Sequence, residues 1–342
     1  MSARREPGES TRGPAFLFPN LQPRSPVGIE RMPALAQALA RLGDGKPRGL
    51  KRIQAKLLRL ALRSSRRLNV PAPGRLALLL PEGPRRFTGD FNNTALIQYA
   101  RRSAQGGYEP AVTALIDAIA PRLRAVCDVG ANWGYYVALL ATNASFRGRI
   151  DAFEIAPRTF RQLAAMVQAC GLGDRVTCHA VGLSDRGGTV GLVEGMHSAL
   201  TRVDPAGVGR EARVIRLDDL GGADPDLVKI DVEGHEAAVL RGGAVRLARA
   251  KPVVVLESWY LESAVERMLE PLRWLSDLGY GLYRLVWREE VDGLASYRSQ
   301  VGRAGPAALA LLPLPVEERP LIPAALDVVA VHPDRWSLLA GF

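Results

Sequence analysis

Cysteine is scarce in this chain: three in 342 residues, at positions 127, 170 and 178, none in a Cys-x-x-Cys spacing. That argues against a disulfide framework and against a zinc site, and a reducing cytoplasm fits best. Long apolar runs are also missing. None approaches the roughly 18 residues of a membrane-crossing helix, and Met1 to Asn20 has arginines but no apolar core or cleavage-like site. Neither a spanning segment nor a signal peptide is expected. The first 67 residues are poor in acid, with fifteen Lys/Arg against Glu6, Glu9, Glu30 and Asp44, a balance of +11. The whole chain carries +10, so the remaining 275 residues sum to −1. The body of the protein has no electrostatic footprint for a phosphate backbone, and nucleic acid is not an expected partner.

What is present suffices for a sizeable core, at 47% hydrophobic residues. Residues 1–30 are rich in Pro, Gly, Ser and Arg without periodicity and read as a disordered tail. Residues 31–85 read as a basic helical extension. Within it Leu50, Ile53, Leu57 and Leu60 form one stripe, and Lys51, Arg52, Lys56, Arg59 and Arg63 occupy the rest of an amphipathic helix over 50–67. Such a helix packs on its own domain or a neighbouring subunit, or meets an anionic membrane surface or an acidic partner.

From residue 86 to 342 strands and helices alternate. Glu109-Pro110 starts a helix with Val112, Leu115, Ile116 and Ile119 on one face. Strands are expected at 125–129, 150–154, 176–181, 227–232 and 252–257, with two more near 282–287 and 327–331. Helices fill the gaps, including a long one through Val265, Met268, Leu269, Leu272 and Leu275. This pattern means a mostly parallel sheet with helices on both faces, whose ligands bind beyond the carboxyl ends of the strands.

The most informative stretch is Ala125-Val-Cys-Asp-Val-Gly-Ala-Asn-Trp-Gly134, an apolar strand running into a loop. Asp128 is a carboxylate inside that strand, expensive to bury unless a cation or donor meets it. Twenty-four residues beyond Gly130, Glu154 ends the next strand, where a ribose would present its hydroxyls. A dinucleotide loop would read G-x-G-x-x-G, but Ala131 and Asn132 follow Gly130 here. Gly-x-x-x-Gly with a carboxylate two residues ahead suits a ligand with no pyrophosphate and with an ammonium or sulfonium. S-adenosyl-L-methionine is that ligand.

On these residues the chain resembles the FkbM-type family of class I S-adenosylmethionine-dependent methyltransferases. The matching segments are 126–136, Ala152-Phe-Glu154, 180–185 (Ala-Val-Gly-Leu-Ser-Asp), Leu217-Asp-Asp-Leu220 and Val228-Lys-Ile-Asp-Val-Glu-Gly-His-Glu236. The resemblance spans about Tyr108 to His332. Ile155 departs from a usual proline and Gly182 from a frequent alanine. The resemblance implies an α/β Rossmann-like class I methyltransferase fold with a seven-stranded, mostly parallel sheet and an antiparallel last strand. It further implies that Asp128, Gly130, Asn132 and Gly134 hold the methionine moiety, that Glu154 takes the ribose hydroxyls, and that Ser184 and Asp185 border the adenine.

For the transfer itself, Asp231 sits at the end of the fourth strand, where the acceptor would lie; the bland alternative is a carboxylate locked to Lys229. Glu233, His235 and Glu257 are further candidates for a general base. Asp231, Glu233 and Glu257 are hard oxygen ligands, but no adjacent acid pair or His cluster supports a metal. The segment 197–202 is a candidate substrate loop. The expected activity is O-methylation of a hydroxyl on a sugar, glycolipid or secondary metabolite. A nucleic-acid methyltransferase recruited by the basic N-terminus is the first rival, opposed by the near-neutral body and by the absence of an Asn-Pro-Pro-aromatic run after the fourth strand. A non-catalytic, cofactor-binding scaffold is the second.

Overall fold

A computed structural model of the chain describes residues 16–19, 21–42, 50–68, 70–103, 107–193, 202–204, 209–291, 294–298 and 308–340. The N-terminal part forms β1 (Phe16–Phe18), β2 (Val27–Arg31), α1 (Ala34–Arg41), α2 (Leu50–Arg67), the hairpin strands β3 (Pro73–Leu80) and β4 (Gly83–Asp90), and α3 (Thr94–Ser103). The extension read as helical therefore also contains a sheet, in the order β2-β3-β4. The period-2 burial of Leu76, Leu78 and Leu80 is the physical reason. Residue 86, where the alternation of strands and helices was expected to begin, lies inside β4, which pairs with β3 along its whole length. Within the tail read as disordered, Phe16–Phe18 adds to the central sheet by pairing with Leu309–Leu311, and Phe18 is fully buried. Residues 1–15 lie outside the described residues.

The next elements are α4 (Pro110–Ile119), β5 (Ala125–Val129), α5 (Tyr135–Ala141), β6 (Arg149–Phe153), α6 (Pro157–Ala169) and β7 (Val176–His179). Pro110 and Pro157 occupy first helical positions, where the missing N–H is an orphan in any case. A side sheet follows from β8 (Gly182–Leu183), β9 (Gly188–Val193), β10 (Arg202–Asp204) and β11 (Arg210–Ile215). The chain then returns through β12 (Leu227–Ile230), α7 (Glu236–Gly242), α8 (Ala244–Ala250), β13 (Val253–Ser258) and α9 (Val265–Asp277). It closes with β14 (Gly281–Val291), β15 (Leu294–Arg298), β16 (Ala308–Pro313) and β17 (Leu326–Val331).

The central sheet runs β1-β16-β14-β17-β13-β12-β5-β6-β7, with β15 beside β14. Seven of these ten strands, β7 through β14, make the expected sheet, in which β17 is antiparallel to both β13 and β14. The three added strands extend the far edge, so the strand count exceeds the expectation there and nowhere near β5. Successive residues feed two hydrophobic layers: Val126, Val253, Val255, Val329 and Val331 go to one face. Cys127, Val254, Leu256, Val328 and Ala330 go to the other. Both faces are thus covered by helices, which explains why β5 and β12 read as near-continuous apolar runs. Strand order reverses at β5, with β6 on one side and β12 on the other. Among the described residues no helix is long and apolar enough to cross a membrane.

Candidate functional site

The register builds the site. Among the four adjacent parallel strands, the last residues paired with one another are Phe153, Val129, Ile230 and Leu256. One residue further on stand Glu154, Gly130, Asp231 and Glu257, and Glu257 pairs with Asp327 on the antiparallel neighbour. The carboxyl edge of the sheet therefore carries a row of carboxylates interrupted by a glycine. Gly130 has φ +84, and a Cβ there would lie 1.9 Å from the Asp231 carbonyl oxygen, so only glycine fits between these strand ends. Its N–H and that of Ala131 donate to the Phe153 carbonyl at 3.0 and 2.9 Å, tying the loop to β6.

Glu154 is 8% exposed. Its two oxygens accept from the backbone N–H groups of Asn132 at 2.9 Å and Ala156 at 2.7 Å. Burial nevertheless pushes its carboxyl up to about 7, against the lowering effect of those bonds. The Asn132 side-chain oxygen accepts from Trp133 N and from Asn93 Nδ2, each at 2.8 Å, so it braces the loop against α3. Gly134 starts α5. Asp128 is 1% exposed and neither carboxylate oxygen has a hydrogen-bond partner. Burial raises its pKa to about 6, opposed by Lys229. Lys229 neighbours Asp128 across β5 and β12 but bonds Asp231 at 2.9 Å and lies 4.8 Å over the Tyr136 ring. The bland alternative for Asp231 is thus physically present, and it leaves Asp128 unmet. An orphaned buried carboxyl beside a glycine cradle and a ribose-height acid fits a nucleoside with a cationic amino-acid tail.

A cavity of about 300 Å³ opens over this row, walled by Tyr108, Trp133, Tyr135 and Tyr136 and containing Gly130, Asn132, Glu154 and Asp231. A second cavity of about 730 Å³ lies beside it, and the two share Glu233, His235, Glu257 and Trp259. Three of those four are residues that sequence reasoning proposed for proton transfer. Burial pushes Glu233 to about 7 and Glu257 to about 9, helped by the charge of Asp231. Glu257 thus keeps its proton at neutral pH. His235 is shifted down by burial, toward the neutral imidazole, and its Nε2 is 2.9 Å from Ser184 Oγ. Ser184 and Asp185 line the larger cavity, while Gly182 and Leu183 line the smaller one. Of the segment expected to be a substrate loop, 197–202, residues 197–201 lie outside the described residues and Arg202 begins β10.

Four features were not anticipated. Glu109, at the head of α4, lines the smaller cavity and accepts from the Tyr136 hydroxyl. Asp327 has its carboxyl raised to about 7 by burial. Its signal was available: an antiparallel last strand begins at the edge where its parallel neighbours end. Trp259 follows Ser258, and buried Arg319 fixes Ser258 with bonds from Nε to its Oγ at 2.9 Å and from a terminal nitrogen to its carbonyl at 2.7 Å. No local pattern marks that arrangement. Among the described residues no group of three or more His, Cys, Asp or Glu could hold a metal ion.

The two family departures touch each other. A Cβ on Gly182 would lie 2.6 Å from Ile155 Cδ1 and 3.3 Å from Val214 Cγ1, so isoleucine at 155 fills the space that alanine at 182 would need. Gly182→Ala should destabilise by about 1–2 kcal/mol through overpacking. Adding Ile155→Val should return most of it, because Cδ1 is the colliding atom. Chemical denaturation of the two single variants and the double variant checks this, and additive losses would show that the contact is not shared.

Residues 128–282 match the family model described as Methyltransferase FkbM domain. No curated relative matches the chain. Solved structures resemble it distantly. An FkbM methyltransferase from Methylobacillus flagellatus KT is 19% identical, with 55% of this chain and 43% of that one covered at a TM-score of 0.37. A SAM-dependent O-methyltransferase from Thermotoga maritima is 12% identical, with 76% and 78% covered at 0.33. A tRNA methyltransferase from B. subtilis is 16% identical, with 68% and 73% covered at 0.34. The aligned region spans less than half of the Methylobacillus chain. At these scores the overlays carry no argument, and the weight falls on the family match, on the strand order around β5 and on the residues at its carboxyl end. The likeness to the FkbM methyltransferase domain family thus lies in residues 128–282, somewhat less than half of the chain.

Proposed function

We propose that the chain is an S-adenosylmethionine-dependent O-methyltransferase acting on a hydroxyl of a sugar, glycolipid or secondary metabolite. The observation that carries this reading is the meeting of two cavities at Glu233, His235, Glu257 and Trp259. When bound, S-adenosylmethionine supplies an electrophilic methyl group on a sulfonium. The residues of the smaller cavity suit that molecule: Glu154 offers remaining lone pairs to the ribose hydroxyls and Gly130 admits it close to the backbone, while Asp128, buried two residues ahead of Gly130 and outside the cavity lining, offers an unmet carboxyl for its ammonium. Asp231, held by Lys229, lines the smaller cavity. Neutral His235 and partly ionised Glu233 can each accept the hydroxyl proton, whereas protonated Glu257 donates to an acceptor oxygen.

Trp259, 42% exposed where the two cavities meet, offers an apolar ring to the C–H face of a sugar and favours a glycan over a flat, fully polar acceptor. Titration of S-adenosylmethionine followed by a screen of glycan and natural-product hydroxyls tests the reading. With a competent acceptor, Trp259→Ala should raise KM about tenfold with little change in kcat, the loss of roughly 1.4 kcal/mol of stacking. Transfer to RNA with no turnover of any hydroxyl small molecule would sink the proposal.

A further inference from the structure

The helix α2 carries three rows of side chains, and the structure assigns them different surroundings. Ala55 and Leu62 are 2% and 7% exposed, Leu58 is half-buried, and this inner row packs toward the body of the protein. Ile53, Leu57 and Leu60, at the spacing i, i+4, i+7, are 58%, 60% and 57% exposed. The stripe anticipated from the sequence is therefore the one turned away from the protein, and it continues past the helix into exposed Leu68 and Val70. Each member follows a cation, Arg52, Lys56 or Arg59, and all three of these are exposed. Since one helical step rotates the side chain by about 100°, these cations form a ridge running directly beside the stripe. In all, Leu50–Arg67 contains seven Lys/Arg and no acid.

We propose that this outward face docks on an anionic lipid surface. An anionic bilayer satisfies both rows at once: aliphatic side chains enter the boundary between headgroups and acyl chains, and the adjoining ridge meets lipid phosphates and carboxylates. A second copy or a nucleic acid satisfies one row only. A second copy placed symmetrically on the stripe would bring seven cations against seven with no acid on either helix. A nucleic acid would engage the ridge and leave Ile53, Leu57 and Leu60 in water. The inference is independent of the methyl acceptor, because none of the α2 residues lines either cavity.

Flotation of the full-length chain with vesicles tests it, using phosphatidylcholine mixed with phosphatidylserine against phosphatidylcholine alone. The protein is expected to float with the anionic vesicles and to stay behind with the neutral ones, and added salt should weaken the association. The triple variant Ile53→Ser, Leu57→Ser, Leu60→Ser and the double variant Lys56→Glu, Arg59→Glu should each lower the partition coefficient at least about tenfold. Both should keep the parent melting curve, since the changed side chains are exposed. Three results would overturn the proposal: no flotation of the parent, flotation indifferent to the apolar substitutions, or a lipid-free dimer that the triple variant dissolves.

Discussion

Gly130→Ala should yield a protein that folds with a markedly lowered transition and no longer binds its nucleoside ligand. The new methyl would sit 1.9 Å from the Asp231 carbonyl oxygen and 2.9 Å from its carbonyl carbon. Both are backbone atoms at the end of a paired strand and cannot swing aside. The left-handed φ of +84 adds about 1–2 kcal/mol for any residue with a Cβ, and overpacking adds typically 1–3 kcal/mol. The sum, about 2–5 kcal/mol, is less than the roughly 5–15 kcal/mol that holds a domain together, so the fold survives while β5 and β12 are pushed apart. That separation displaces the loop N–H groups of Gly130 and Ala131 from the Phe153 carbonyl and moves Asp231 relative to Glu154. Chemical denaturation and calorimetric titration of S-adenosylmethionine measure the two effects. Gly173→Ala is the control, because a Cβ there meets nothing within 4 Å and the backbone is not left-handed. Near-parental stability and affinity for the Gly130 variant would mean that the cradle yields easily and that the ligand does not depend on it.

How far the sequence announces this site depends on whether a residue's position follows from its own strand or from a neighbour's. Asp128 and Glu154 were legible because each lies within or at the end of an apolar run whose direction and loop are evident locally. Gly130 was legible by spacing, although the reason for it, the Asp231 carbonyl on a strand about a hundred residues away, was not. The row Glu154, Gly130, Asp231, Glu257 and Asp327 exists only once five strands are in register, and register between distant strands has no local signature. The same reason hid the junction of the cavities. Asp231, Glu233, His235 and Glu257 could be nominated one by one, but their sharing of a wall with Trp259 depends on Arg319 anchoring Ser258 from 61 residues away. The N-terminal part was misread for a different reason. Its charge pattern was strong enough to mark α2 as an amphipathic helix and drew attention from the weaker period-2 signal of Leu76, Leu78 and Leu80, which makes β3 a strand. The stripe on α2 was read with the right residues, while the packing interaction belongs to the row Ala55, Leu58 and Leu62 behind it.

Glu154→Ala should weaken binding of S-adenosylmethionine by about 10–150-fold, the value of a lost charge-assisted hydrogen bond of roughly 1.5–3 kcal/mol. Its carboxylate also anchors Asn132 N and Ala156 N, so affinity alone would not separate a ligand contact from a loop brace. The pH dependence does. In the free protein burial holds Asp128 near 6 and Glu154 near 7, above their ordinary values of 3.8 and 4.5. The folded state therefore binds more protons than the unfolded state between about pH 4 and pH 7, and the unliganded protein should lose stability as pH rises through that window. A ligand that presents an ammonium to Asp128 and hydroxyls to Glu154 favours the ionised forms, so binding expels protons and affinity should rise over the same window. Opposite trends in stability and affinity are the signature of a site whose acids wait for a cation. Titrations in buffers of different ionisation enthalpy count the released protons, and Glu154→Gln, which keeps an acceptor oxygen but cannot titrate, should remove the higher of the two steps. If affinity is flat from pH 5 to pH 8 while Glu154→Ala lowers the melting temperature of the unliganded protein, Glu154 is a brace for the loop and the ribose contact is lost from the account.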